Sequence, residues 1–127
     1  MKKVLLVLAT TSVFAFANDT TINATMGLMT QGLQQVQNGF INNDKQEISS
    51  GVEILHNANS IFETVDVTTF IPNNKKGQVT KNISKHFSKD VKALKKAVDA
   101  NDFSAATKEY GKVLSNCMAC HKTVRDQ

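Results

Sequence analysis

Apolar residues recur at steps of three and four along four segments of this 127-residue chain. Only an α-helix turns that spacing into a continuous face. In the first segment Ile22, Met26, Met29, Leu33, Val36 and Phe40 follow one another at steps of 4, 3, 4, 3 and 4. The second holds Ile48, Val52, Leu55 and Phe62, with Ile54, Ala58, Ile61 and Val65 widening the stripe. The third carries Val79, Ile83, Phe87, Val91, Leu94 and Val98. The fourth runs through Phe103, Ala106, Tyr110, Val113, Leu114, Cys117, Cys120 and Val124. No stretch alternates with period two for long enough to argue for a strand, so the expected class is all-α.

The joints agree with four helices. Asn42-Asn43-Asp44 and Ala100-Asn101-Asp102 are short turns, and Val67 to Gln78, which contains Pro72 and Gly77, is the one long connection. Asp44 with Glu47 three residues on is a capping-box pattern for the second helix, and Asn101 or Asp102 can cap the fourth. Short first and third joints make antiparallel neighbours of helices one and two, and of three and four. The expected architecture is an antiparallel four-helix bundle.

Residues 1–17 are set apart from that bundle. Lys2 and Lys3 precede an apolar run from Val4 to Phe14, and Ala15-Phe16-Ala17 supplies a small-x-small cleavage site. This is the pattern of a secretory signal peptide. The run is too short to span a bilayer, so no stable membrane insertion is expected. The mature domain is then 18–127, long enough for one modest core, and the expected location is the periplasm.

Charge is unevenly spread. The whole chain carries +4, and loss of Lys2 and Lys3 leaves +2. Residues 18–66 sum to −5 and residues 67–127 to +7. Lys81, Lys85, Lys89, Lys92 and Lys96 form a stripe opposite the apolar face of the third helix. Such a stripe keeps a helix solvated, and it also suits docking of an acidic partner. Export and the lack of a recognition motif argue against nucleic acid.

The only two cysteines lie in Cys117-Met118-Ala119-Cys120-His121. This is the spacing of c-type haem attachment. Residues three apart share a helix face, so both thiols can add to the two vinyl groups of one porphyrin edge, and the next residue can present an imidazole to the iron. Other uses of the pair fit less well. A thioredoxin-like redox pair belongs at the start of a helix after a strand. A structural zinc site needs four ligands, and beyond this motif only His56 and His86 are at hand. A disulfide across two residues would close almost no loop. One covalently attached haem c, with its iron on His121, is expected.

From Asp102-Phe103-Ser104-Ala105-Ala106, through Tyr110-Gly111, to Cys117-Met118-Ala119-Cys120-His121-Lys122-Thr123-Val124-Arg125, the tail resembles cytochrome c′ and its low-spin relatives. The resemblance covers the mature chain in architecture and the last helix in residue detail. It implies a four-helix bundle with the attachment motif on the last helix, near the C-terminus. It gives Cys117 and Cys120 the attachment role and His121 the ligand role. It matches Arg125 to a basic residue kept beside the proximal histidine, although a cation at a helix C-terminus is favourable in any case. In cytochrome c′ an apolar side chain on the first helix covers the iron, which then binds nitric oxide or carbon monoxide. In the low-spin relatives a methionine closes that site. The resemblance places Met29 at this position, with Met26 and Leu28 as alternatives. It also implies a possible homodimer through the first two helices, where Gly27, Gly32 and Gly39 would allow close approach.

The expected role is therefore a mono-haem electron carrier for a redox partner protein rather than an enzyme. A gas-binding cytochrome c′ is the alternative.

Overall fold

The computed structural model describes residues 13–64, 66, 71 and 74–125, with side chains described between 21 and 124. It is all-helical: α1 spans Val13–Asn42, α2 Lys45–Thr64, α3 Gly77–Asp99 and α4 Phe103–Arg125. No strand occurs among the described residues. Helix α1 packs on α2, α2 on α3, and α3 on α4. No helix is long and apolar enough to cross a membrane, among the described residues.

The two short turns share one construction. Asn43 and Asn101 take left-handed conformations, with φ of 54° and 59°. Asparagine tolerates that region better than most residues, and it ends a helix. The next residue then points its backbone N–H back into the helix just finished, Asp44 to the Gly39 carbonyl at 2.8 Å and Asp102 to the Ala97 carbonyl at 2.9 Å. The same aspartate starts the following helix. The Asp44 carboxylate accepts the Glu47 N–H at 3.0 Å, and the Asp102 carboxylate accepts the Ala105 N–H at 2.9 Å. Of the two candidates at the start of α4, Asp102 is the cap and Asn101 is the stop.

The expected stripes become the core. Val36, Leu55, Val91, Leu94, Ala106 and Val113 are fully buried. Two expected members are exposed, Val79 at 47% and Leu114 at 39%. Val79 lies in the first turn of α3 beside the fully buried Thr80, which takes the inward position, and Leu114 lies on the flank of α4 next to the fully buried Val113. Val65 lies outside the described residues.

Helices α1 and α2 approach closely because glycines face across their contact. A Cβ on Gly51 would lie 2.6 Å from the Val36 nitrogen and 2.8 Å from the Gly32 carbonyl oxygen. At Gly39 it would lie 2.6 Å from the Ile48 nitrogen. Gly32 and Gly39 therefore serve packing within the chain rather than approach by a second copy, while Gly27 meets nothing within 4 Å. Backbone atoms cannot step aside as a flexible side chain can. Gly51→Ala should accordingly destabilise the protein by about 1–3 kcal/mol in urea denaturation. A loss below about 0.5 kcal/mol would mean that the two backbones are not this close.

Candidate functional site

Tyr110 and Asn116 fix the last helix on either side of the motif's approach. The Tyr110 hydroxyl donates to the Leu33 carbonyl at 3.2 Å, and its ring meets Phe40 edge-on at 5.8 Å, so α4 is tied to α1. The Asn116 amide donates to the Asp90 carboxylate at 2.6 Å and ties α4 to α3 immediately before Cys117. Neither tie could be read from periodicity, although a polar asparagine directly before the motif was a visible signal.

Below these ties the four helices surround a cavity of about 640 Å³, counting its open mouth. Helix α4 contributes Cys117, Cys120 and His121 to the lining. Opposite chain segments contribute Met26, Met29 and Leu33 from α1. Phe62 of α2 and Phe87 of α3 complete the apolar wall, their rings packed edge-on at 6.4 Å.

The polar side chains in the wall are mostly occupied. Buried Thr80 donates to the Gly77 carbonyl at 2.9 Å and accepts from the Asn74 amide at 2.9 Å. Thr30 donates to the Met26 carbonyl at 2.9 Å. The space they surround is therefore mostly oily, and the groups left in it are two thiols, two thioethers, an imidazole and the Ser84 hydroxyl. The His121 imidazole is half-buried and has no hydrogen-bond partner among the described residues.

Both thiols are free and half-buried. Burial pushes the Cys117 and Cys120 thiols above their ordinary value, and at Cys117 the neighbouring Cys120 adds to the effect. A reactive redox pair needs the opposite, a lowered pKa near a helix N-terminus or a cation. Alkylation of the reduced, haem-free chain should therefore have its pH midpoint above the ordinary value of about 8.5. A midpoint below about 7 would point to redox-active thiols instead.

The other sequence candidates separate cleanly. Met29 is 5% exposed and Met26 half-buried, and both line the cavity. Leu28 does not, being 43% exposed on another face of α1. His56 and His86 are not in the lining, and His86 is exposed. No group of three or more His, Cys, Asp or Glu side chains comes together among the described residues, so a zinc cage has no donor set there. Arg125 closes α4 one turn past His121, and its side chain lies outside the described residues.

The lysine stripe is partly committed. Lys92 pairs with Glu63 of α2 at 2.7 Å. Lys95, beside the stripe, reaches Glu53 at 3.5 Å and Asp99 at 3.0 Å. Lys81, Lys85, Lys89 and Lys96 are exposed and form no ion pair among the described residues.

Comparison of the chain with protein-family models, with curated proteins and with solved structures finds no match.

Proposed function

We propose that this chain is an exported mono-haem c-type cytochrome that works in electron transfer, with haem c attached to the last helix of an antiparallel four-helix bundle resembling cytochrome c′. The observation that carries the reading is the shared cavity: Cys117, Cys120 and His121 line the same oily space as Met26 and Met29. The antiparallel order is supported by the contacts of Gly39 with Ile48 and of Gly32 with Leu55, which pair descending with ascending positions.

The donor set suits the group. Cys117 and Cys120 would hold the group by two thioethers, each S–H adding across one vinyl group with nothing released. His121 would hold the iron, and Met29, the more deeply buried thioether, would be its second protein ligand. Arg125 stands one helical turn beyond His121, where a cation favours the helix end and the proximal side. A haem held in this way supplies a one-electron ferric/ferrous couple. Met29, Leu33, Phe62 and Phe87 line the cavity and would keep water from the iron, and a methionine ligand would raise the potential of such a couple.

Export fits the helix as well. Cleavage after Ala17 would leave Asn18 and Asp19 at the new start of α1, where a capping amide and an acid are both favourable. The unpaired cations of α3 suit an acidic redox partner in the periplasm. A homodimer through α1 and α2 would have to use their outer faces, where Gly27 is open.

Optical spectra of the oxidised and reduced protein, with and without carbon monoxide, test the function. A low-spin spectrum with slow reaction toward carbon monoxide is expected. A high-spin ferrous form that binds carbon monoxide at once would instead assign the chain to gas binding.

A further inference from the structure

We propose that Lys81 and Lys85 of α3, with the Ser84 hydroxyl between them, form the site that holds the two propionate carboxylates of the haem. The proposal rests on the haem reading above and extends it to residues outside the attachment motif.

Haem brings two ionised carboxylates on the edge opposite its vinyl groups. They cannot stay in the oily cavity, because an ionised carboxylate in an apolar wall is costly unless it is paired. With the vinyl edge held by Cys117 and Cys120 on α4, the carboxylates need cations elsewhere on the rim. Among the described residues the cavity lining contains no lysine or arginine.

A second hollow, of about 910 Å³ counting open solvent, adjoins the first. The two share Phe62 and Ser84 as lining residues, so the apolar space meets the polar one at that wall. Among the described residues lining either hollow, Lys81 and Lys85 are the only lysines or arginines. They stand four residues apart, one helical turn, on either side of Ser84. Both are exposed and without an ion pair among the described residues, and the Ser84 hydroxyl has no partner there either.

The acids of the second hollow do not cancel these cations. Glu63 is held by Lys92 at 2.7 Å, and its carboxyl lies below the usual carboxylate range because of that hydrogen bond. Asp66 has an interaction of its own. Ser88 donates to the Asn59 side-chain oxygen at 3.2 Å, and its hydroxyl also helps hold the Glu63 carboxyl down. Two free cations and one free hydroxyl therefore remain for two carboxylates. An opposite charge within about 4–6 Å lowers a carboxyl pKa by about 1–3 units.

The test is the pH dependence of the reduction potential of the haem-loaded protein, between about pH 4 and about pH 9. It compares the wild type with Lys81→Gln/Lys85→Gln and with Lys89→Gln/Lys96→Gln. Both double variants remove two charges from the same helix, so any uniform change in potential is common to them. Ionisation of a propionate appears as a step in the curve. In Lys81→Gln/Lys85→Gln that step should move upward by about one pH unit or more, and in Lys89→Gln/Lys96→Gln it should stay in place. A step at one pH in all three proteins, a larger movement in Lys89→Gln/Lys96→Gln, or no step in any of them overturns the proposal. A chain that carries no haem has no such couple, and that result removes the parent reading together with this one.

Discussion

Changing Cys117 and Cys120 together to Ser should give an exported chain that carries no haem at all. A hydroxyl does not add to a vinyl group as a thiol does, so both covalent links are lost in one variant. Single changes should be milder, because one thioether and His121 still hold the group. The alternative explanation, general misfolding, is weak at these positions. Both cysteines are half-buried, on the cavity side of α4, and serine is close to cysteine in size. Circular dichroism of the double variant should therefore still report a helical chain. Haem absorption that survives denaturation in the double variant would show that attachment lies elsewhere.

The second large effect belongs to Met29. Met26 and Met29 sit one turn apart, so about 4.5 Å of axial rise separates them, and α1 can present only one of them squarely to the iron. Both line the cavity, but Met29 is 5% exposed and Met26 only half-buried. The tie from Tyr110 to Leu33, one turn further along α1, fixes the height at which these side chains meet α4. Met29→Leu keeps the volume and should cost less than about 1.5 kcal/mol of stability. Its spectrum should change completely: loss of the weak red-edge absorption of methionine ligation, a high-spin iron, and fast binding of carbon monoxide. Met26→Leu should leave the spectrum almost unaltered. The reverse pattern would move the ligand to Met26, and no change in either variant would leave the sixth position without a methionine.

Much of this was legible because helices advertise themselves through spacing. Leu55, Val91, Leu94 and Val98 were called to the core by periodicity and are buried there. Asp44 was readable as a cap and Asp102 as one of two candidates with Asn101, and the bond from the Ala105 N–H decides for Asp102. Val79 and Leu114 are exposed because a stripe does not say which of its edges meets a neighbouring helix, and the adjacent Thr80 and Val113 take the inward positions. The glycines were misassigned for a related reason. Gly32 and Gly39 signal that something comes close, and only the placement of Ile48, Gly51 and Leu55 tells that it is α2 of the same chain. At the site, Cys117-Met118-Ala119-Cys120-His121 was visible as a motif, and two methionines were visible on the inner face of α1. What no local pattern could supply was the convergence of these residues on one cavity with Phe62 and Phe87, because that depends on contacts between distant segments.

The mass of the purified mature protein after acid-acetone extraction is the most direct measurement of covalent haem attachment. Extraction removes a haem that is only coordinated and leaves one joined by thioethers. The expected mass is that of the polypeptide from Asn18 to Gln127 plus one haem, with nothing lost as hydrogen because each thiol adds whole. A mass equal to the bare polypeptide, with haem in the extract or none at all, would contradict it.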